Sequence, residues 1–358
     1  MVTGVAGSLG SRLLARLLAH PGVDRVVGID VVPCPASDPR LDARVIDLAA
    51  RPGPGDPELQ QALSGATAVL HTAWTVPDRR GASHRDQAAA VAANQRALAR
   101  VLDGAAKAGV ESVVHLSSAT VYGAWADNKI PLTEDERLRP NPEFSFAVSK
   151  AEAERTLAEW ADQHPAVAVA VLRPTVTVGS GDRPLYQALG ITRSPRSGDG
   201  GRPVQYLHID DLAAAVMLAW ERRLAGVFNV AADAGIPEEQ ARALAGGVAR
   251  IALPERVALA ASSLGWRLWR KGVPVEARAY AAQPWVVSPD RLKAAGWVPG
   301  YSSEEALVAT DERVHWDDLP PGRRQNYNLL IAVGVLAAAG TGVGVAVELI
   351  RRRRRRRA

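Results

Sequence analysis

Three glycines at the head of the chain, Gly4, Gly7 and Gly10, separate the short apolar run Val2-Thr3 from a helix-periodic segment, Ser11–Ala19. A backbone without Cβ atoms at these points turns sharply and lets an anion approach. The helix opening near Ser8 then presents unpaired N–H groups and a positive dipole end. This pattern predicts a site for a dinucleotide pyrophosphate, although a tight strand-to-helix turn alone would produce the same glycines. A second apolar run, Arg25–Asp30, ends in a carboxylate about 20 residues past Gly10, where an acid accepts a hydrogen bond from a ribose 2′-hydroxyl and repels a 2′-phosphate. NAD is therefore expected rather than NADP, with Arg40 and Arg44 near enough in sequence to weaken the preference.

With 358 residues, 47% of them hydrophobic, the chain can bury a full α/β core. A single cysteine, Cys34, excludes an internal disulfide framework, and no Cys/His spacing for zinc occurs. The net charge of +5 is smaller than the seven positives of Arg351–Arg357, so the rest of the chain is slightly negative and makes no case for specific nucleic-acid binding. No secretory signal opens the sequence. Because only two residues precede the glycine turn, the native start is expected upstream of Met1.

Strand-like runs at Ala43–Asp47, Ala66–His71, Ser112–Ser117 and Val167–Leu172 alternate with helical segments near Gln87–Lys107 and Ser145–His164. Gln205–Ile209 and the helix Asp211–Arg222 follow. This is the rhythm of a doubly wound parallel sheet. After Pro320-Pro321-Gly322, the 22 positions Leu329–Ile350 carry only Glu348 as a charge, long enough to cross a bilayer. The arginine tail would place its own end in the cytoplasm, and so would a nucleotide-binding domain without an export signal; one span cannot satisfy both. Either the tail is translocated, or the segment lies shallowly with its arginines on anionic lipid headgroups.

Several motifs in order resemble those of the extended short-chain dehydrogenase/reductases, the NAD-dependent epimerases and dehydratases. They are Thr3-Gly4-x-x-Gly7-x-x-Gly10, Asp30, Asp47-Leu48, His71-Thr72-Ala73, Asn94, Ser117–Gly123, Arg173-Pro174 and His208–Leu212, with Ser288–Lys293 leading to Gly296-Trp297-x-Pro299. The resemblance implies an α/β fold: a Rossmann-type doubly wound parallel sheet with a small mixed α/β C-terminal cap, to which the chain adds a C-terminal membrane helix. The NAD-binding domain would span residues 1–180, with 203–232 returning to it, and the substrate-binding cap 181–202 and 233–310. A linker (311–328), the membrane segment (329–350) and a polybasic tail (351–358) complete the chain.

By the same resemblance Gly4, Gly7, Ser8, Leu9, Gly10 and Asp30 would hold the cofactor, Asp47 and Leu48 would border its adenine, and His71, Thr72 and Ala73 its middle. Ser118 would meet the reacting substrate oxygen and Lys150 the nicotinamide ribose. Alone, Ser118 reads as well as a hydroxyl satisfying its own loop, and His71 as a buried, hydrogen-bonded histidine. Asn94 would brace a helix and Arg173 would shape the substrate entrance. Asp210 or Asp211 would cap a helix, and Arg183, Arg193, Arg196 and Arg202 would either clamp a diphosphate or form a solvated loop. Trp266, Trp269, Trp285 and Trp297 read as cap core or a membrane-facing surface. A homodimer through two surface helices is also implied, with a sugar nucleotide as substrate.

The departure is Phe146. The family pattern sets a tyrosine four residues before a lysine, one helical turn, so that both project from one face. The lysine depresses the tyrosine pKa and makes it a proton shuttle. In Phe146-Ala147-Val148-Ser149-Lys150 the phenol is missing. Three readings follow: NAD is bound without efficient turnover; Ser118, Tyr122, Ser145 or His71 stands in; or the substrate supplies its own acid and base.

Overall fold

Val2 and Thr3 form a two-residue strand, β1, yet it is the pivot of the molecule because it pairs on both sides. Thr3 lies opposite Ile29 of β2 (Val26–Asp30) and opposite His71 of β4 (Ala68–His71). The computed structural model describes residues 1–76, 84–179, 202–232, 235–244 and 275–309, with strand pieces at 196–197 and 252–253. Contacts divide the chain into Met1–Asp311 and Glu312–Ala358. The second unit, with Leu329–Ile350 and the arginine tail, lies outside the described residues, as do Arg183, Arg193, Trp266 and Trp269. Among the described residues no helix is long and apolar enough to cross a membrane.

Seven parallel strands form the main sheet. To β1, β2 and β4 it adds β3 (Leu41–Val45), β5 (Ser112–Leu116), β6 (Ala168–Pro174) and β7 (Gly226–Val230), in the order β7-β6-β5-β4-β1-β2-β3. The chain runs outward from β1 through β2 to β3, then restarts on the other side at β4. Ligands of such sheets bind where this reversal opens a crevice at the carboxyl ends of the strands. Gly4, Thr72 and Ser117 follow strand ends on that edge, and Asp30 is the last residue of β2.

Apolar periodicity covers both faces. Helix α1 (Ser8–Ala19) buries Leu13, Leu14 and Leu17 beside Leu212 and Val216 of α5 (Ile209–Glu221). On the other face, α2 (Pro57–Leu63), α3 (His84–Ala108) and α4 (Ser145–Gln163) bury Leu59, Leu63, Leu98, Leu102 and Leu157. The α2 helix is absent from the sequence reading although its start is marked: Asp56 accepts from the Leu59 N–H and Pro57 occupies the first turn. Boundaries also shift. The third strand begins at Leu41 rather than Ala43, and β6 continues to Pro174.

A third apolar cluster joins Phe144, Tyr206, Tyr280, Trp285 and Leu307. Trp285 and Trp297 are interior rather than membrane-facing, and each indole N–H is satisfied by a carbonyl, of Tyr280 at 2.9 Å and Asp211 at 3.3 Å. The cap of α5 corrects the sequence reading. His208, not an aspartate, accepts from the Asp210 N–H. Asp210 instead pairs with Arg12 of α1 at 2.7 Å, and Asp211 accepts from the N–H groups of Gly300 and Tyr301.

Candidate active site

Gly4 has φ +74, and a Cβ there would stand 2.9 Å from the Ala73 Cα. A Cβ on Gly10 would lie 2.0 Å from the Gly4 carbonyl oxygen. The strand, the turn and the first helical turn therefore pack backbone on backbone, which only glycine permits. Gly7 is the N-cap of α1 and has no side chain to offer the helix, so the first-turn N–H groups, among them those of Leu9 and Gly10, face the crevice without intrahelical acceptors.

Asp30 braces this loop. One carboxylate oxygen accepts from the Ala6 N–H at 2.9 Å and the other from the Val31 N–H at 2.7 Å, which leaves acceptor capacity for a ribose hydroxyl. Arg40 and Arg44 do not compete for it. Arg40 reaches Asp38 and the carbonyls of Leu18 and Val23, and Arg44 is held by Asp42 and Gln61. The side chain of Asp47 is exposed just beyond β3 and accepts from the Ala49 N–H at 2.9 Å, while Leu48 is buried.

Across the crevice, His71 Nδ1 and Thr3 Oγ1 are 2.8 Å apart, Thr72 Oγ1 donates to the Thr3 carbonyl at 2.7 Å, and the Ala73 N–H donates to Thr3 Oγ1 at 3.2 Å. Burial pushes the His71 pKa down to about 3, with the positive charge of Lys150 adding to the effect. Its ring stacks on His115 at 5.4 Å. Asn94 clasps the next loop, its amide meeting both the N–H and the carbonyl of Thr75, so it braces a loop rather than its own helix.

Helix α4 carries Phe146 and Lys150 one turn apart. Lys150 is 3% exposed and donates to the Leu116 carbonyl at 2.6 Å; burial drives its pKa well below the ordinary lysine range, against a smaller upward pull from Glu154. One turn earlier, Phe146 is half-buried against Phe144, with ring centroids 5.6 Å apart. Ser118 follows β5 and caps a short helical turn, Ala119–Tyr122, its Oγ accepting from the N–H and hydroxyl of Thr120. The loop-satisfying role is thus real, and the serine's own hydrogen remains available for a substrate oxygen.

A buried polar chain that the sequence reading missed lies behind these residues. Glu154 receives Ser117 Oγ and a two-pronged Arg173 guanidinium with contacts of 2.6 to 3.1 Å. Arg173 also donates to the Tyr122 hydroxyl at 2.6 Å, and that hydroxyl donates to Asn229 of β7 at 2.8 Å. Arg173 is therefore an interior brace and not part of a substrate entrance. Tyr122 is 1% exposed, and burial raises its pKa to about 12, so it is not the missing proton carrier. His71 is unsuited too, since its neutral ring gives Nδ1 to Thr3. Arg202 is likewise spent, on Glu238 at 2.8 Å and on the carbonyls of Tyr280 and Gln283, and clamps no diphosphate.

The glycine cradle, the spare acceptor capacity of Asp30 and the buried Lys150 at the same strand ends fit a dinucleotide. Residues 1–231 match the sequence profile of the NAD dependent epimerase/dehydratase family. The chain belongs to this family. A dTDP-glucose 4,6-dehydratase of Streptomyces griseus is 27% identical over 90% of this chain and 97% of its own length. A ketoreductase of Stigmatella aurantiaca acting on a farnesyl dihydroquinoline oxide is 30% identical over 78% of this chain and 83% of its own. Among solved structures, a dTDP-glucose 4,6-dehydratase of Streptomyces venezuelae with NAD bound superposes with TM-score 0.66 at 20% identity, covering 88% of this chain and 96% of that one. The UDP-glucose 4-epimerase of Thermus thermophilus in complex with NAD gives TM-score 0.62 at 22% identity, with coverage of 87% and 97%. These two likenesses bear on the fold, and NAD is the cofactor by which the family is described.

Proposed function

We propose that this family member binds NAD across the β1/β4 crevice and acts, at reduced turnover, on a hydroxyl of a sugar nucleotide or related sugar carrier. The observation that carries the reading is the pairing of an intact Ser118 and Lys150 with Phe146 where a phenol would stand. When bound, NAD would accept hydride from the substrate carbon. The glycine turn and the α1 N-terminus hold its pyrophosphate, Asp30 a ribose hydroxyl and Lys150 the other ribose, while Ser118 fixes the substrate oxygen. Phe146 occupies the same place but moves no proton, and loss of such a group costs about 10²–10⁴-fold in rate.

A panel of sugar nucleotides, assayed by nicotinamide absorbance with the wild-type chain and Phe146→Tyr, tests this. Slow wild-type turnover that the added hydroxyl raises by about 10²–10⁴-fold supports it. A chain that binds no NAD refutes it. NAD binding with both proteins silent on every substrate favours a second reading, a non-catalytic NAD sensor or scaffold, which draws support from the engagement of Tyr122 and His71 elsewhere. In both readings Leu329–Ile350 and Arg351–Arg357 attach the chain to membrane lipid, with the nucleotide-binding domain in the cytoplasm. Co-flotation with anionic vesicles, lost on deletion of residues 329–358, checks that attachment.

A further inference from the structure

Lys150 has an aromatic partner, Trp74, which is not among the residues assigned to the site above. Its Nζ lies 3.5 Å from the centroid of the Trp74 ring, directly over the face. The lysine is otherwise badly placed for a cation. Its hydrogen bond goes to a carbonyl, that of Leu116, and its neighbours on β4 and β5 are His71 and His115, both held neutral by burial. Glu154, one turn along α4, is already paired with Arg173 at 2.6 Å. A buried ammonium without a touching anion is costly, and the negative face of an indole is the strongest aromatic compensation for it.

The indole is also held in place rather than loosely packed. Asn94 fixes Thr75, the next residue, by two hydrogen bonds of 2.8 and 2.9 Å, and the Trp74 edge meets the His115 ring at 6.1 Å and 68°. Gln95, adjacent to Asn94 on α3, donates to the Ser149 carbonyl beside Lys150 at 3.1 Å, so one short stretch of α3 ties down both partners.

We propose that Trp74 is a positioning residue that clamps the Lys150 ammonium at the crevice floor, where it serves as the anchor for the nicotinamide ribose. The ribose part rests on the NAD reading above; the clamp itself does not. In a site without the phenol, the clamp makes Lys150 a binding group rather than half of a proton-moving pair.

Carbon-13 labelling at lysine Cε gives a direct readout in the cofactor-free full chain, because the sequence holds only five lysines and Lys150→Met identifies the resonance. The Lys150 signal should be ring-current shifted in the wild type, unshifted in Trp74→Leu and largely shifted in Trp74→Phe. Its titration midpoint should fall in Trp74→Leu, since the ring favours the charged form. Calorimetric titration with NAD should show Trp74→Leu binding roughly tenfold more weakly, Trp74→Phe recovering most of the loss, and no further loss when Trp74→Leu is added to Lys150→Met. An unshifted wild-type resonance overturns the clamp even if NAD binds. An equal loss with and without Lys150 overturns the anchoring role. A ring-shifted Lys150 in a chain that binds no NAD overturns the cofactor reading and leaves the clamp standing.

Discussion

Two single-methyl additions to the glycine turn should separate the fold from the site. In Gly10→Ala the new Cβ would be built 2.0 Å from the Gly4 carbonyl oxygen, 2.7 Å from the Val5 Cα and 2.8 Å from the Gly4 carbonyl carbon. All three are backbone, so no rotamer relieves the overlap, and α1 must move more than an ångström away from β1. Overpacking of this kind costs about 3 kcal/mol. For a unit of the size of Met1–Asp311 that lowers the melting temperature by about 4–6 °C. In Gly7→Ala the nearest atom is the same carbonyl oxygen at 3.3 Å, and φ −74 suits alanine. Its cost is the weaker N-cap, about 1 kcal/mol or less. The methyl would nevertheless stand where the pyrophosphate must approach the α1 N-terminus, so NAD binding should weaken at least about tenfold, or 1.4 kcal/mol. Circular dichroism melts and calorimetric NAD titrations read the two effects separately. Wild-type NAD affinity in Gly7→Ala would refute the path of the phosphates over this turn. A Gly10→Ala melt within a degree or two of wild type would refute the packing argument.

Three other perturbations have defined directions. Glu154→Gln leaves the Arg173 guanidinium buried without its charge partner and should cost about 3–5 kcal/mol in urea denaturation; a loss under about 1 kcal/mol would mean water reaches the pair. Because burial holds His71 at about 3 while an unfolded imidazole titrates near 6.5, the unfolded chain binds the extra proton. Its contribution to stability is therefore complete above about pH 6.5 and lost by about 1.4 kcal/mol per unit as pH falls toward 3. His71→Gln should flatten that acid limb, and denaturation midpoints at about pH 7 and about pH 5 that shift as much as in wild type would contradict it. Asp30→Asn removes the charge that repels a 2′-phosphate, so competing titrations should show NAD weakened and NADP gaining relative to it.

The geometry of the glycine turn and its brace was legible because its requirements are local. Gly4 and Gly10 must be glycine for reasons contained within ten residues, and Asp30 closes the same strand-turn-helix-strand unit by accepting from Ala6. The Phe146-to-Lys150 spacing is legible for the same reason, being one turn of one helix. What escaped depends on distant partners. Arg173 before a proline reads as shaping the substrate entrance, but Glu154 and Tyr122 hold it in the interior. His208 takes the cap position because Asp210 is engaged by Arg12 from α1, and Asp211 by a turn about 90 residues later. Trp74 reads as another residue after a strand; only its placement over Lys150, 76 positions on, gives it a role.

The location of the missing oxygen also explains why the change is compatible with an intact fold. Residues of the proposed cofactor cradle double as structure: the glycines permit backbone contact, Asp30 braces the turn, and Thr3, His71 and Thr72 cross-link β1 to β4. Substituting any of them costs stability as well as binding. A tyrosine hydroxyl at position 146 would have belonged to the crevice alone, because Phe146 packs through its ring against Phe144 and the polar chain from Ser117 to Asn229 is complete without it. A phenylalanine here therefore leaves packing and the Arg173 network intact, and under the proposed function its effect would fall on proton transfer alone. Phe146→Tyr should accordingly melt within about 1 kcal/mol of wild type, the range of a near-isosteric change, whether or not it gains activity. A large loss of stability would mean that the pocket around residue 146 has closed, and that the chain has become a binding protein in its packing as well as in its chemistry.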